Sequence, residues 1–465
     1  MKYLKYIISI ISILLSIYLI NKLNKLGILP NKYLILISIL LVILNVIGII
    51  LIHKNNKLIK TISIIIYILF ISLSIIGIKY TNETINFFKN GFNNNIEIKK
   101  YNVLILKTNN YKLEELRNIG YLENVVESKT YLNELDIEKK LEYKSIYELY
   151  KDLIDKKIQS IILDESYIEL FEEDYNEILD KTKIIYSFDI KKEIKKDEKI
   201  KELKPINIYI SGSDSRSGLI ESNSRTDVNM IITINPEKRK ILLTSIPRDY
   251  YVRLHGTTGY KDKLTHSGIY GIEMSKHTLE DVFGIKIDYT VKVGFNSVIE
   301  IVDLIGGIDI NSDKTFTTHC GDGGAEKTYI KEGINHLTGP QALSYARERY
   351  AYIEGDNHRI QNQQQVLEAI ITSSFKNKNI IKQYKEFLES FKNLYRTDIP
   401  DSLIKLYIKN QLDNNKPWTI EKQVVKGTGD TNITYSMPGR YLYVMNPDKE
   451  SIEKATKNIN NLINS

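Results

Sequence analysis

The chain has 465 residues, enough for two or three domains, and a formal net charge of +7. Lysine alternates with glutamate and aspartate over much of it, so it lacks the basic stripe of a nucleic-acid binder, and a DNA-binding regulator is set aside. The single cysteine, Cys320, has no partner for an intramolecular disulfide.

Three uncharged apolar runs open the chain, Tyr6 to Ile20, Tyr33 to Ile52 and Thr61 to Ile78. The second and third approach the ~20 residues that cross a bilayer, and Tyr3 and Leu4 extend the first. No small-x-small cleavage site follows the first run, so three retained spans are expected over residues 1–80. Lys2, Lys5, Lys54, Lys57 and Lys60 then fall on the cytoplasmic side. Lys22, Lys25, Lys32, Lys79 and Lys89 fall on the other. This weak bias favours a multi-pass cell-membrane protein whose large carboxy-terminal part is extracytoplasmic.

Residues 93–200 read as a small accessory α/β domain. NVLILK from Asn102 is a predicted strand, and YKLEELRNIG a predicted helix ending at Gly120. SIYELYKDLIDKKI from Ser145 has helical spacing, SIILD from Ser160 is a strand, YNEILDK a helix and KIIYSFDI a strand. Alternation of this kind predicts an open, largely parallel sheet. No chemical constellation stands out in it, and Glu172, Glu173 and Asp174 read as a solvated loop. The charge-dense run Lys191 to Lys204 ends at Pro205 and marks a boundary.

Residues 205–465 change pattern. INIYISGSDSRSG is a strand ending in a Gly- and Ser-rich turn with Asp214. SRTDVNMIITINP is a second strand, with Arg225 and Asp227 at its start. KILLTSIPRDYYV is a third, with Arg248 and Asp249 near its end. Two carboxylates at neighbouring strand ends suit Mg²⁺, which keeps several waters and shares a phosphate oxygen. KLTHSGIYG supplies Lys263 and His266; a helix, a strand and the helix-to-strand unit SVIEIVDLIGGIDI follow. His319 and Cys320 have no second pair at zinc spacing, and GDGG at Gly321 reads as an exposed turn. Helical segments extend to about Asn410, then two strands near Trp418 to Lys426 and Arg440 to Met445, then a final helix.

The most informative stretch is Gln341 to Val366. It holds Arg347, Arg349 and Arg359 within thirteen positions, with Asp356 between them. Thr338, Gly339 and Pro340 start a short helix. Arg347 and Arg349 share a face only if the chain is extended there. A second helix begins at Asp356 or Asn357, with Arg359 and Gln363 at i and i+4, and Val366 and Ile370 continuing that stripe. Guanidinium groups converging beside such a stripe suit phosphate or pyrophosphate.

Taken together, SGSDSRSG, SRTDVNMIITINP, SIPRDYYV, KLTHSGIYG, VDLIGGIDI, HLTGPQALSYARERY and GDNHRIQNQQQVL resemble the LytR-CpsA-Psr family of cell-envelope proteins, in the family's order, from Pro205 to about Phe375. Three spans and a small module before the core look like its capsule-associated branch. The resemblance implies an α/β/α core with a mixed central sheet and an apolar tunnel for a polyprenyl chain. The Ser297 to Ile305 and Val366 to Ile371 helices are candidates for the tunnel wall. It implies a Mg²⁺-dependent phosphotransferase that moves a glycopolymer, capsular or teichoic-acid-like, from polyprenyl pyrophosphate to peptidoglycan outside the membrane, alone or with other capsule-assembly proteins. On that pattern Asp214 and Asp227 hold Mg²⁺. Arg225, Arg248, Lys263, Arg347, Arg349, Arg359 and Gln363 bind the pyrophosphate.

The acceptor is a sugar hydroxyl, a weak nucleophile that a carboxylate can deprotonate, and Asp356 and Asp249 are both candidates. No Ser/His or Cys/His pair stands at recognisable spacing, which favours direct transfer over a covalent enzyme intermediate. A lipid-pyrophosphate hydrolase and a non-catalytic lipid-pyrophosphate binder in a capsule assembly complex remain as alternatives.

Overall fold

The computed structural model describes residues 3–90, 96–123, 132, 137–167, 180–193, 200–213, 223–319, 325–353, 355–374, 394–414 and 416–465. The chain forms two compact units. One contains residues 1–93, 197–203 and 399–417, and the other contains 94–196, 204–398 and 418–465.

The first unit is built on α1 (Leu4–Leu26), α2 (Asn31–Ile52) and α3 (Lys57–Asn90), all three long and apolar enough to cross a membrane. Gly27 closes α1 in the left-handed conformation at φ 75°. Apolar side chains such as Ile35, Leu36 and Leu73 face outward, as a helix bundle in lipid requires. The inner faces carry a polar ladder instead. Ser12 Oγ donates to Asn45 Oδ1 at 2.6 Å, and Asn45 Nδ2 donates to Ser16 Oγ at 2.9 Å. Tyr67 packs flat against Gly48, where any Cβ would lie 2.6 Å from its ring. Small residues and buried hydrogen bonds are how helices associate when apolar burial offers no driving force. The Asp401–Asn414 helix belongs to this unit. Its Asp413 pairs with Lys32 at 2.7 Å, and its Lys405 lies over the Phe88 ring.

The second unit contains two sheets. The accessory sheet is formed by β1 (Ile96–Leu106), β2 (Asn118–Leu122), β3 (Lys139–Tyr143), β4 (Ser160–Asp164) and β5 (Thr182–Glu193), in the order β3-β2-β4-β1-β5. It is mixed rather than largely parallel: β1 runs antiparallel to both β4 and β5, and only β2 pairs in parallel, with β3 and β4. The predicted helix ending at Gly120 is a short 3₁₀ turn, Leu113–Glu115, and Gly120 sits inside β2. Packing explains the difference. A Cβ at Gly120 would stand 2.5 Å from Leu149 of α4 (Ile146–Ile154), so the glycine lets that helix close on the sheet. The helical spacing read from Ser145 onward is found as α4, and the Ser145 hydroxyl caps it. The segment YNEILDK lies almost wholly outside the described residues, as do Glu172, Glu173 and Asp174.

The larger sheet is formed by β6 (Ile206–Ser213), β7 (Val228–Asn235), β8 (Lys240–Ile246), β9 (Tyr289–Gly294), β10 (Tyr395–Thr397) and β11 (Thr419–Val424), ordered β10-β9-β6-β7-β8-β11. It too is mixed: β6, β7 and β8 are antiparallel neighbours, while β9 and β11 join in parallel. Alternation along β6 and β7 sends Tyr209 and Ile231 to one face and Ile210 and Met230 to the other. The first face is covered by α5 (Ile272–Phe283) and the carboxy-terminal helix Lys449–Ile463, through Leu279, Phe283, Ile459 and Leu462. The second face meets α6 (Phe295–Leu304), α7 (Gly339–Arg347) and α8 (Asp356–Ser374). The result is the α/β/α layering expected from the sequence. Several strands lie where the sequence reading places none: β3, β10 (inside the stretch read as helical), Gly333–Leu337, and Gly427–Ile433, which pairs with Tyr441–Pro447.

Candidate functional site

Asp227 immediately precedes β7, and its peptide N–H donates to the Gly212 carbonyl at 2.8 Å. The residues behind it are locked by a buried polar network. Tyr209 Oη donates to Asn229 Oδ1 at 2.7 Å, Ser211 Oγ donates to Thr226 Oγ1 at 2.9 Å, and Asn229 Nδ2 donates to the Thr226 carbonyl at 3.0 Å. The Arg248 loop is joined to this segment through one residue. Thr265 N–H donates to the Arg248 carbonyl, while the Thr265 carbonyl accepts from Thr226 N–H. Gly268 permits the approach, since a Cβ there would lie 2.3 Å from the Ser224 carbonyl oxygen.

On this frame the charged side chains converge. Arg248 Nη1 lies 2.7 Å from Asp227 Oδ1, with Asp227 almost fully buried. Arg248 Nε lies 3.7 Å from Asp249, and Lys263 Nζ pairs with Asp249 at 2.9 Å. Burial pushes the Asp227 carboxyl up, but Arg248, Arg225 and Arg359 together outweigh it and hold it below the usual carboxylate range. Arg225, Arg248, Arg359, Lys263, Asp227 and Asp249 therefore form a cationic cluster, with two carboxylates serving four cations. Among the described residues no three His, Cys, Asp or Glu side chains converge as a metal cage. Asp227 supplies a hard oxygen inside the cationic cluster. A lone carboxylate of this kind would suit Mg²⁺ only with waters and further oxygen ligands completing the shell.

Beside the cluster, under the second face of the large sheet, lies an apolar cleft of about 100 Å³. Its floor is Ile210, Gly212, Val228 and Met230. Val298, Leu343, Ala346, Val366 and Ile370 are among its wall, and Arg347 and Gln363 are its polar members. Both ends of this description meet the cluster. Val228 follows Asp227 in sequence, and Gln363 lies one helical turn beyond Arg359 on α8. The i, i+4 stripe of α8 thus runs from guanidinium to apolar, as its sequence predicts. Val298 of α6 belongs to the wall as well, but most of the floor comes from strands whose contribution the helical patterns do not reveal.

Arg347 ends α7, and its guanidinium lies over the Phe295 ring. The chain then turns extended at Glu348 (φ −68°, ψ 129°), as the aromatic residues beyond it suggest. Arg349 is exposed and turned to Tyr350, donating to its hydroxyl at 2.9 Å. Asp356 opens α8; its side chain, like Asp214, Cys320 and the GDGG turn, lies outside the described residues. His266 is buried against Asp262 at 2.6 Å and has a structural part.

Sequence reasoning missed Glu348. Fully buried, it accepts from the peptide N–H groups of His319 (2.5 Å), Tyr350 (2.7 Å) and Ala351 (2.9 Å), and contacts His319 Nδ1 at 3.1 Å. Burial raises the Glu348 carboxyl, but these donors overcome it and the group sits below its usual range. A glutamate flanked by two arginines reads as charge balance; only its burial reveals that it pins the backbone between them.

The domain is thus a mixed-sheet α/β/α fold that carries a cationic cluster and, on neighbouring residues, an apolar cleft. The chain matches the LytR_cpsA_psr family over residues 174–461, and it belongs to that family. It is 33% identical over 224 residues, 47% of this chain and 69% of the relative, to the polyisoprenyl-teichoic acid–peptidoglycan teichoic acid transferase TagU of Bacillus mycoides (strain KBAB4). It is 29% identical over 227 residues, 48% of this chain and 71% of the relative, to the protein of the same name from Enterococcus faecalis (strain ATCC 700802 / V583). The crystal structure of B. subtilis TagV aligns at 26% identity and a TM-score of 0.47, covering 57% of this chain and 99% of that one.

Proposed function

We propose that this protein transfers a glycopolymer from a polyprenyl pyrophosphate carrier to peptidoglycan on the outer side of the membrane. What supports the reading is that the apolar cleft is lined by Val228, next in sequence to Asp227, and by Gln363, one helical turn beyond Arg359. An isoprenoid tail fits the cleft, and the pyrophosphate fits the guanidinium groups of Arg248, Arg225 and Arg359, with Lys263 supported by Asp249. The curated relatives named as teichoic acid transferases support a cell-wall polymer as cargo. A capsular polymer is the other candidate, suggested by the three spans and the accessory module.

In the reaction the acceptor hydroxyl oxygen bonds to the phosphorus that carries the glycopolymer. The bond from that phosphorus to the bridging oxygen breaks, and polyprenyl phosphate leaves with the electron pair. Arg248, Arg225 and Arg359 offset the charge that develops on the leaving group. Asp227 and Asp214 would hold Mg²⁺, and such an ion would supply further charge compensation. Asp249 is engaged by Lys263 and Arg248, so Asp356 is the carboxylate we assign to take the hydroxyl proton.

Ala346→Trp tests the cleft. Filling it is expected to weaken binding of a long-chain polyprenyl pyrophosphate about tenfold or more, since buried methylenes contribute ~0.8 kcal/mol each. Inorganic pyrophosphate should bind as before. Equal binding of the long-chain lipid by variant and wild type would remove the cleft from the reading. The topology makes a separate prediction: protease added to intact protoplasts should digest the chain beyond α3. Full protection of that part would reverse the orientation.

A further inference from the structure

The accessory module and the large domain share one compact unit, and a second cleft, of about 400 Å³, lies between them. We propose that this cleft is a saccharide subsite, taking a neutral sugar unit next to the pyrophosphate site. The proposal rests on that site's assignment for its geometry but concerns different residues.

Four of the lining residues, Lys99, Tyr101, Asp164 and Tyr167, come from β1, β4 and the turn after β4, outside the family-matched segment. Tyr270 and Tyr435 line it as well. Tyr270 lies edge-on to Tyr167 with centroids 6.0 Å apart and is tilted to Tyr435 at 6.2 Å. Aromatic faces with polar tips suit a pyranose, which presents C–H faces and a hydroxyl rim. The wall is close to neutral, with Lys99 and Asp164 balancing beside His255, in contrast to the cationic cluster. A second phosphate is therefore not what it selects.

Asn223 ties the cleft to a ligand. It is 8% exposed, lines the cleft, and donates from Nδ2 to Asp164 Oδ2 at 3.3 Å. Its Oδ1 is buried with no hydrogen-bond partner. An unsatisfied buried acceptor is costly, and a sugar hydroxyl donating to it would remove that cost. Asn223 is two residues from Arg225, so their Cα atoms are at most about 7 Å apart. The segment from Asn223 to Arg225 thus carries one residue of the cleft and one of the cationic cluster. That neighbourhood suits the first sugar of the donor or the accepting sugar of a glycan strand.

The test uses the full chain in detergent and three probes: a soluble peptidoglycan glycan-strand fragment, a short-chain prenyl pyrophosphate carrying a saccharide, and the same prenyl pyrophosphate without sugar. Asn223→Ala removes the orphan acceptor, and Thr258→Trp narrows the cleft from an exposed loop position without touching the core. Both variants are expected to bind one saccharide probe about tenfold more weakly than wild type while binding the sugar-free probe equally. Loss on the strand fragment identifies the acceptor, and loss on the saccharide-bearing lipid identifies the donor. Unchanged binding of both saccharide probes, or an equal loss on the sugar-free probe, overturns the proposal. Failure of the sugar-free probe to bind wild type would count against the pyrophosphate site instead, and the strand fragment would still report on this cleft.

Discussion

Arg248→Ala is expected to lower glycopolymer transfer by about 10²–10³-fold, the loss seen when one preorganised donor to a developing oxyanion is removed. The same substitution should destabilise the fold, because Arg248 is the near partner of the buried Asp227 at 2.7 Å. Breaking a buried pair costs about 3–5 kcal/mol, and the lower end applies while Arg225 and Arg359 still face the carboxylate. Arg248→Lys keeps the charge without the planar fork, so it should recover most of the stability and little of the transfer. The pH dependence gives an independent check. In wild type Asp227 has a lowered pKa in the folded protein, so its stabilising contribution is present above the unfolded value of about 4 and is lost as pH falls through the folded value. Without Arg248 the folded pKa moves up, so the stability gap between variant and wild type should be widest at neutral pH. It should close as the pH drops below both values. Thermal unfolding from about pH 7 down to about pH 2, past the folded value, measures this. A gap independent of pH would mean that the Arg248–Asp227 pair is not what the substitution breaks.

How far the sequence could be read depended on whether a feature is local. The apolar runs, the helical spacing after Ser145 and the guanidinium-to-apolar stripe of α8 each follow from neighbouring residues, and all are found where their spacing puts them. Gly120 was misread because its reason is Leu149, twenty-nine positions away; from neighbours alone a glycine after a helical pattern reads as a stop. The direction of β1 was likewise set by its pairing with β5, more than seventy residues on. In the site, clustered arginines and strand-end aspartates are visible as types, and the convergence of Arg225, Arg248 and Arg359 on Asp227 is a tertiary fact. The cleft floor was hidden because Ile210, Val228 and Met230 look like any buried strand until the opposite helices fail to fill the space above them.

Glu348 is the residue whose role was least legible, and its removal is expected to have the second large effect. Glu348→Gln keeps the shape but turns one acceptor oxygen into an NH₂ donor, facing either the peptide N–H of His319 or those of Tyr350 and Ala351. Hydrogen bonds to a charged group contribute about 1.5–3 kcal/mol, so a loss of ~3 kcal/mol at pH 7 is expected. The folded carboxylate is held below its usual range, so wild type loses this contribution as pH falls through that depressed value, whereas the amide does not titrate. The difference should therefore shrink toward acid pH. The functional consequence is indirect. Glu348 fixes the extended turn after Arg347, so freeing it lets the Arg347 guanidinium drift from the cleft. Binding of a polyprenyl pyrophosphate should weaken about tenfold and that of a polyprenyl monophosphate less, because a single phosphate asks for fewer paired contacts. A merely structural glutamate would lower both affinities in proportion to the unfolded fraction, so equal losses that vanish on cooling would refute the positioning role.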